Sequence, residues 1–267
     1  MLRLLSFLAA LGPLALPCAA DPVYHHDIDA RECCVVIAHA GGGIDGIAYT
    51  NSEEAMLFHL AAGVRVFEID FAKTRDGVWV GTHDWALWKR QTRHEGRLPP
   101  SYDEFTASRL KLAGAQQASA AYTGITIAFL DKAFATHGDI VIVTDTKYDL
   151  GGMARALRET KLFPRIYPQA YSPSDVDTLA GFGYRKIILT VYKMDLGQPE
   201  KWLGHVAALS ARLHALTVPL EFFDKHHGRL TKLGLPVYVH GPPARINSRD
   251  LHRRLWQMGV AGFYLDW

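Results

Sequence analysis

The sequence is short of cysteine, of net charge and of long apolar runs, and each shortage excludes a class of protein. Three cysteines occur in 267 residues, and the two that follow the N-terminal segment are neighbours, Cys33 and Cys34. This spacing fits neither a zinc site nor a long-range disulfide, so we expect two separate buried side chains that lead into the first strand. The formal charge is +2, and the absence of a basic stripe argues against nucleic acid as a partner.

The longest apolar stretch lies at the N-terminus and is too short for a comfortable membrane span. Arg3 is the only charge in residues 1–20, residues 4–16 are mainly apolar, and the segment ends in the small residues Ala19 and Ala20. This pattern is typical of a secretory signal peptide cleaved after Ala20. We therefore predict a secreted or periplasmic protein with one domain over residues 21–267. An uncleaved membrane anchor and a lipid-modified Cys18 are the weaker alternatives.

Apolar, β-branched runs alternate with helix-like runs along the rest of the chain, which predicts βα units and parallel strand pairing. The expected strands are Cys34–Ala38, Val64–Phe71, Val78–Thr82, Ile140–Thr144, Arg165–Gln169, Lys186–Val191, Ala215–Val218, Pro236–His240 and Gly262–Asp266. The expected helices include Ser52–Ala62, Ile127–His137, Gly152–Thr160, Ser174–Ala180, Pro199–Leu213, Phe222–Leu233 and Ser248–Met258.

The strand count favours an α/β fold of the (β/α)8 TIM-barrel type. Asp76-Gly77 is a strong hairpin signal, and if Val78–Thr82 is the return arm of that hairpin, eight strands remain for the barrel. A long loop, Trp85 to Tyr122, follows the hairpin and includes a short helix near Tyr102–Leu112. An open doubly wound sheet is the alternative, but Gly41-Gly42-Gly43 lacks the spacing of a nucleotide-binding fingerprint.

Five polar side chains stand at the ends of these apolar runs: His39, Glu68, Asp70, His83 and Asp145. The two imidazoles can supply a general acid and a general base. The three carboxylates can supply hard oxygen ligands for one divalent cation, Mg²⁺ or Ca²⁺. Lys147 can hold a phosphate, and together these residues indicate metal-assisted cleavage of a phosphodiester.

Strand geometry predicts how some of these residues meet. Glu68 and Asp70 share one face of their strand. If Asp76-Gly77 forms a two-residue loop, counting back along both arms places Asp70 opposite His83. The alternatives are that the two carboxylates form a solvated strand face, that the histidines are structural, and that Asp145 caps the next helix.

Functional residues of a barrel cluster at the carboxyl ends of its strands. Gln169, Tyr192 and His240 fall at or near such ends, as does Asp266, and we expect the first three to line the substrate site. Trp85, at the start of the long loop, offers a rigid apolar surface for substrate. The alternative is that Trp85 and Trp88 pin the loop to the barrel.

These blocks resemble those of the glycerophosphodiester phosphodiesterase family, within the superfamily of phosphatidylinositol-specific phospholipase C-like phosphodiesterases. The resemblance rests on His39-Ala40-Gly41, Asn51-Ser52, the stretch from Glu68 to Asp84, Thr144-Asp145-Thr146-Lys147, Gln169, Val239-His240 and Gly262 to Asp266. It implies a (β/α)8 barrel, a divalent metal at Glu68, Asp70 and Asp145, and catalytic histidines at His39 and His83. It further implies that Lys147 contacts the phosphate and that Asn51 supports His39 or the substrate.

The chain departs from the family pattern at four places: Ala40, Thr50, Asp145 and Gly241-Pro242-Pro243. The departures bear on the substrate, which we expect to be a small-molecule or lipid phosphodiester: a glycerophosphodiester, a related phospholipid-derived diester or a sugar phosphodiester. The nucleophile is either water or a neighbouring hydroxyl of the substrate. The alternatives are a secreted non-catalytic barrel that binds phosphorylated lipids or glycans, and a metal-dependent hydrolase of another bond. No feature predicts an obligate protein partner.

Overall fold

Strands and helices alternate along the whole described part of the chain. The computed structural model describes residues 22–30, 33–111, 121–194 and 198–266. The strands are β1 Val35–Ala38, β2 Val66–Lys73, β3 Trp79–Gly81, β4 Val141–Asp145, β5 Ile166–Ala170, β6 Ile187–Thr190, β7 Leu213–Pro219, β8 Val237–His240 and β9 Gly262–Leu265. The α-helices are α1 Glu53–Ala61, α2 Trp85–Thr92, α3 Tyr102–Ala107, α4 Ile127–Thr136, α5 Leu150–Arg158, α6 Pro173–Gly181, α7 Pro199–Leu209, α8 Leu220–Leu230, α9 Pro243–Ile246 and α10 Arg249–Gln257.

Eight of the strands run parallel and close into a barrel. Their order is β1-β9-β8-β7-β6-β5-β4-β2, and β1 also pairs with β2 through Ala38 and Phe67. β3 pairs with β2 in the antiparallel sense and extends the barrel wall as a hairpin. The predicted (β/α)8 barrel is therefore confirmed, with a hairpin after its second strand, and the open sheet is excluded.

The hairpin loop has three residues, so the predicted two-residue loop is wrong. The two strands pair one residue away from the expected register. The N–H of Gly77 donates to the carbonyl of Thr74 at 3.0 Å, and Gly77 has a φ of 92°. This is a type I turn followed by a left-handed glycine, which adds one residue to the loop. Asp70 consequently lies opposite Thr82 rather than opposite His83. The backbone carbonyl of Asp70 accepts the N–H of Thr82.

The long segment after the hairpin is partly helical, contrary to the expectation of an irregular stretch before Tyr102. α2 begins directly after Asp84, whose carboxylate accepts the N–H of Leu87. α3 lies within the predicted short helix and has a capping box formed by Ser101 and Glu104. Local capping thus orders a segment in which the apolar periodicity is weak.

The hydrophobic core lies in two layers, one outside the barrel wall and one inside it. Outward side chains of the strands, such as Phe67, Leu216 and Phe263, pack with the helices. Inward side chains form the inner layer: Val35, Ile37, Val66, Val141, Val143, Tyr167, Ile188, Ala215, Tyr238 and Tyr264. Ile28, from the chain before β1, packs with this layer and closes the end where the strands begin. The inward positions at the other end are left to polar residues.

Cys33 and Cys34 are buried as expected, but a disulfide joins them, so the expectation of two separate thiols is wrong. The predicted signal peptide, residues 1–20, lies outside the described residues. Among the residues that are described, no helix combines the length and the apolar character needed to cross a membrane.

Candidate active site

The predicted site residues lie inside the barrel, at the end where the strands finish. Side chains alternate along a strand, so Val66, Glu68 and Asp70 form one inward row of β2. Val66 belongs to the inner apolar layer, and the two carboxylates continue its row towards the carboxyl end. The same alternation directs side chains at or just after the ends of other strands into the barrel, those of His39, Asp145, Gln169, His240 and Asp266.

Glu68, Asp70 and Asp145 form a buried carboxylate cluster. Asp70 and Asp145 are register partners on β2 and β4, and one oxygen from each of the three carboxylates lies within 4.8 Å of the others. Glu68 is 2% exposed and Asp70 is 4% exposed, so the alternative of a solvated strand face is wrong for them. The N-cap alternative for Asp145 is also wrong, because Asp149 caps α5.

This cluster fits a divalent cation. Burial, together with the charges of Asp70 and Asp145, raises the pKa of Glu68 well above its ordinary value. Burial and the charge of Asp70 likewise raise the pKa of Asp145, whose Oδ1 is buried with no hydrogen-bond partner among the described residues. A cation among the three carboxylates removes their repulsion. Ca²⁺ holds oxygen ligands at about 2.3–2.6 Å, so its ligands can lie up to about 5 Å apart, and these oxygens lie within 4.8 Å of one another.

Neighbouring groups hold two of the carboxylates in place. The N–H of Ala40, a residue with a φ of 48°, donates to Oε2 of Glu68 at 2.8 Å. The Asn51 side chain donates to Oδ2 of Asp70 at 2.9 Å and accepts the N–H of Asp70 at 3.1 Å. The family resemblance implied that Asn51 supports His39 or the substrate, whereas here its amide group orients a carboxylate of the cluster.

His39 follows β1 and is oriented by Asp266. Its Nδ1 lies 2.9 Å from Oδ1 of Asp266, and because an ionised carboxylate only accepts, Nδ1 carries the proton. The free Nε2 lies 3.8 Å from Oε2 of Glu68. Burial lowers the pKa of His39, but the hydrogen bond and charge of Asp266, with the charges of the cluster, outweigh burial and raise the pKa. The ring of Tyr49 meets that of His39 edge-on, with centroids 4.8 Å apart.

His83 precedes α2 and lies between an acid and a lysine. Its Nδ1 is 2.7 Å from Oδ2 of Asp84, which fixes the same tautomer as in His39. The ammonium group of Lys147 lies 2.6 Å from Nε2 of His83. Lys147 follows Asp145 by two residues, so this contact places His83 beside the end of β4. The hairpin register that was predicted to bring His83 there is not the one that forms.

The three further residues predicted from strand ends occupy two different environments. Gln169 is buried in the barrel and accepts a hydrogen bond of 2.6 Å from the hydroxyl of Thr190. Tyr192 is 39% exposed, and its ring centroid lies 4.1 Å from that of His240. Burial and the charge of His39 lower the pKa of His240 to about 3, so its ring stays neutral. A role of these residues in binding substrate stays a prediction.

Trp85 does not face the site. It lies in a small core that is separate from the two layers of the barrel and has the buried members Ala72, Val80, Trp85, Trp88, Phe105, Leu110 and Tyr122. Trp85 is 8% exposed and meets Trp88 edge-on, with centroids 5.8 Å apart. Trp88 in turn stacks on Phe105 of α3 at 5.8 Å. The structure does not support Trp85 as a substrate-binding residue, because neighbouring side chains cover its indole. It favours the alternative in which both tryptophans pin this segment to the barrel.

Three residues of the site have no role in the sequence-based prediction. Asp266 was placed at a strand end, but its partner His39 lies 227 residues away in the chain. Tyr171 lies close enough to Asp145 to lower the pKa of that carboxyl, and its position just after β5 is the signal that could have indicated it. Tyr49 meets His39 through a backbone turn with a φ of 59°, which no sequence pattern indicates.

A cavity of about 700 Å³ adjoins this site. Tyr49 and His83 both line it, on the side of the loop after β1 and on the side of α2 respectively. His39 contacts one of these residues and Lys147 the other. The cavity therefore lies beside the candidate site and has the size of a small-molecule site.

No protein-family model and no curated protein matches this chain. Solved structures do match it. A glycerophosphoryl diester phosphodiesterase from Parabacteroides distasonis is 17% identical, with a TM-score of 0.69 over 90% of this chain and 86% of that one. A glycerophosphodiester phosphodiesterase from Agrobacterium tumefaciens is 18% identical, with a TM-score of 0.64 over 88% and 96% of the two chains.

A phosphodiesterase from Oleispira antarctica, solved in complex with its product sn-glycerol-3-phosphate, is also similar. It is 18% identical, with a TM-score of 0.66 over 86% of this chain and 92% of that one. At these identities the similarity establishes that the chain shares the barrel fold of these phosphodiesterases.

Proposed function

We propose that this chain is a metal-dependent phosphodiesterase of the glycerophosphodiester phosphodiesterase family. One observation carries the proposal: two imidazoles, each bonded through Nδ1 to a carboxylate, lie at the end of the barrel that holds a buried cluster of three carboxylates. A binding protein needs neither oriented imidazole. The likeness to solved phosphodiesterases, one of them with a glycerol phosphate product, supports the choice of reaction.

The cluster of Glu68, Asp70 and Asp145 would hold the cation, which when bound neutralises charge on the phosphate and polarises it. Lys147 adds a positive charge next to His83, where it can hold a phosphate oxygen. Asn51 hydrogen-bonds to Asp70 and so orients one of the carboxylates that would hold the cation.

The two histidines move the protons. One Nε2 takes the proton of the attacking hydroxyl, either of water or of a neighbouring group on the substrate. The other imidazole, protonated, gives its Nε2 proton to the departing alkoxide as the phosphorus–oxygen bond breaks. Asp266 and Asp84 hold the Nδ1 proton of each ring, so that only the Nε2 atoms exchange protons.

The substrate in this proposal is a glycerophosphodiester or a related phospholipid-derived diester. A non-catalytic barrel that captures phosphorylated lipids or glycans is the competing function. The departures from the family pattern at Ala40 and Gly241-Pro242-Pro243 motivate that competitor. At Ala40, however, the backbone N–H bonds to Glu68, a contact that does not require the side chain of the family's arginine.

The test is a screen of the purified protein against glycerophosphocholine, glycerophosphoethanolamine and glycerophosphoglycerol, followed by phosphorus NMR. We expect hydrolysis with Mg²⁺ or Ca²⁺, loss of hydrolysis in chelator, and recovery when the cation returns. Binding of these diesters without hydrolysis under every metal condition would support the non-catalytic barrel and reject the proposal.

A further inference from the structure

The cavity beside His83 extends well past the reacting groups. It is about 700 Å³ in volume, in the upper part of the range of about 300–1,000 Å³ that small-molecule sites occupy. Glycerol would fill only a small part of it. The alcohol portion of the substrate can therefore be larger than glycerol.

One face of α2 lines this cavity. Asp84, Leu87 and Arg90 follow one another at intervals of three residues, which places them on the same side of the helix. Trp85 and Trp88 point to the small core on the other side. Six residues at about 1.5 Å each separate Arg90 from Asp84, so Arg90 lies about 9 Å further along the helix axis.

Lys111 brings a second positive charge to the same end of α2. Its N–H donates to the carbonyl of Gln91 at 2.7 Å, and Lys111 and Arg90 both line the cavity. Both side chains are exposed, and no ion pair with an acid is found for either within the described residues. The sequence of residues 112–120, which lie outside the description, contains neither Asp nor Glu.

Apolar side chains line the stretch between the two charged ends. Ile47 comes from the loop after β1 and Leu87 from α2. At one end are His83, which in the proposed mechanism exchanges a proton with the substrate, and Asp84, which orients the His83 ring. At the other end are the two cations, which form no ion pair with an acid among the described residues and can therefore bind an anion.

We propose that this cavity binds the alcohol portion of the substrate, and that Arg90 and Lys111 bind a second anionic group on that alcohol. The group is a phosphate or a carboxylate, roughly 10 Å from the phosphate that is cleaved, as the helix geometry requires. This inference rests on the proposed phosphodiesterase function and names the class of substrate within it.

The experiment uses two pairs of diesters that differ by one anionic group. Glycerophosphoinositol 4-phosphate differs from glycerophosphoinositol by a phosphate. N-succinyl-glycerophosphoethanolamine differs from N-butanoyl-glycerophosphoethanolamine by a terminal carboxylate in place of a methyl group, and its extended chain reaches the required distance. For at least one pair we expect kcat/KM to be about tenfold higher for the more anionic member, the effect of a charge-assisted contact. The pair that shows the preference identifies the source of the charge.

The double variant Arg90→Gln/Lys111→Gln should abolish that preference. Lys89→Gln is the matched control, since Lys89 is an exposed cation on the same helix that does not line the cavity. It should keep the preference intact. Equal kcat/KM values within both pairs for the unaltered protein would overturn the inference, as would a preference that survives in the double variant. A fall in melting temperature without a change in preference would mean that the two cations only stabilise the helix end.

Calorimetric titration separates this inference from the proposed function. Inositol 1,4-bisphosphate should bind about tenfold more tightly than inositol 1-phosphate, and the double variant should lose the difference. If the protein hydrolyses no diester, the proposed function fails, and the titration alone decides whether the anion site exists.

Discussion

At the scale of single residues, the two histidines of the site are held in different ways. Asp84 is the chain neighbour of His83 and also caps α2, so that contact is local. Asp266 reaches His39 from the other end of the chain and has its own N–H held by the Asn247 side chain. In the proposed mechanism both arrangements would leave Nε2 as the atom that exchanges protons, and their effects can be measured separately.

We expect His39→Ala and His83→Ala each to lower turnover by about 10²–10⁴, the contribution of a positioned acid or base. Neither change should unfold the protein, because both rings lie at the solvent end of the barrel. Steady-state rates on the best diester, with circular dichroism of each variant, make the comparison. His137→Ala, at the end of α4, is the control and should behave like the unaltered protein. Near-normal turnover in either site variant would mark that histidine as structural.

Asp266 should act only through His39. Asp266→Asn keeps the shape of the side chain but can stabilise the wrong tautomer of the ring, so kcat should fall by no more than it does in His39→Ala. In the double variant Asp266→Asn/His39→Ala the two losses in kcat should not add, because His39→Ala has already removed the ring on which Asp266 acts. The pH profile of kcat should shift in Asp266→Asn, which a merely structural role would not cause. Additive losses in the cycle would show that Asp266 acts independently.

Asp145→Asn should have opposite effects with and without cation. In chelator it removes one of three mutually repelling buried carboxylates, so we expect a higher melting temperature. With Mg²⁺ or Ca²⁺ it removes a ligand, so the cation should raise the melting temperature less than in the unaltered protein. Thermal scans of both proteins under both conditions give the answer, with the exposed Glu159→Gln as control. The metal site would be refuted if the variant kept the full cation-dependent shift.

At the scale of elements, the sequence predicts strands well and predicts their register less well. Alternation within Val66–Asp70 correctly places Glu68 and Asp70 on one face, because that inference needs only the pleat of a single strand. The hairpin register fails because it depends on whether Gly77 belongs to a two-residue or a three-residue loop, and Asp-Gly occurs in both. One residue in the loop changes every opposed pair.

Helix α2 gives a prediction about the segment that follows the hairpin. Trp88 is 1% exposed and stacks on Phe105, so Trp88→Leu should leave a cavity and lower the free energy of unfolding by about 2–4 kcal/mol. The ratio of kcat/KM between two diesters should stay constant, because the indole does not reach the cavity beside His83. Denaturant unfolding and paired kinetics test both parts. A changed ratio with normal stability would restore the tryptophans as substrate-binding residues.

At the scale of the whole molecule, the barrel follows from the alternation of strands and helices, but the contacts that close it do not. β1 meets both β9 and β2, and Asp266 meets His39, only because the sheet closes on itself. Sequence reasoning can count eight strands and place polar residues at their carboxyl ends. It cannot identify which distant side chains then face each other, and for that reason the His39–Asp266 pair is known only from the fold.

The N-terminal part of the chain contributes directly to this closure. Residues 22–30 make backbone hydrogen bonds with β1 and the residue before it: the N–H of Val36 donates to the carbonyl of His25, and the N–H of Cys34 donates to the carbonyl of Val23. Ile28 is buried among the inward side chains, and its carbonyl accepts a hydrogen bond from the hydroxyl of Tyr238. The barrel therefore needs the residues that directly follow the proposed signal peptide.

We propose that the protein is exported and that cleavage after Ala20 leaves the barrel intact. N-terminal sequencing of the protein from its native host should begin at Asp21, and an intact Met1 on membrane-bound material would contradict this. Removal of residues 2–20 should leave the melting temperature unchanged, because the contacts of Val23 and Ile28 remain. Removal of residues 2–30 should lower it markedly, since the inner apolar layer is then open to water. Equal melting temperatures for the two truncated proteins would show that Ile28 does not close the barrel.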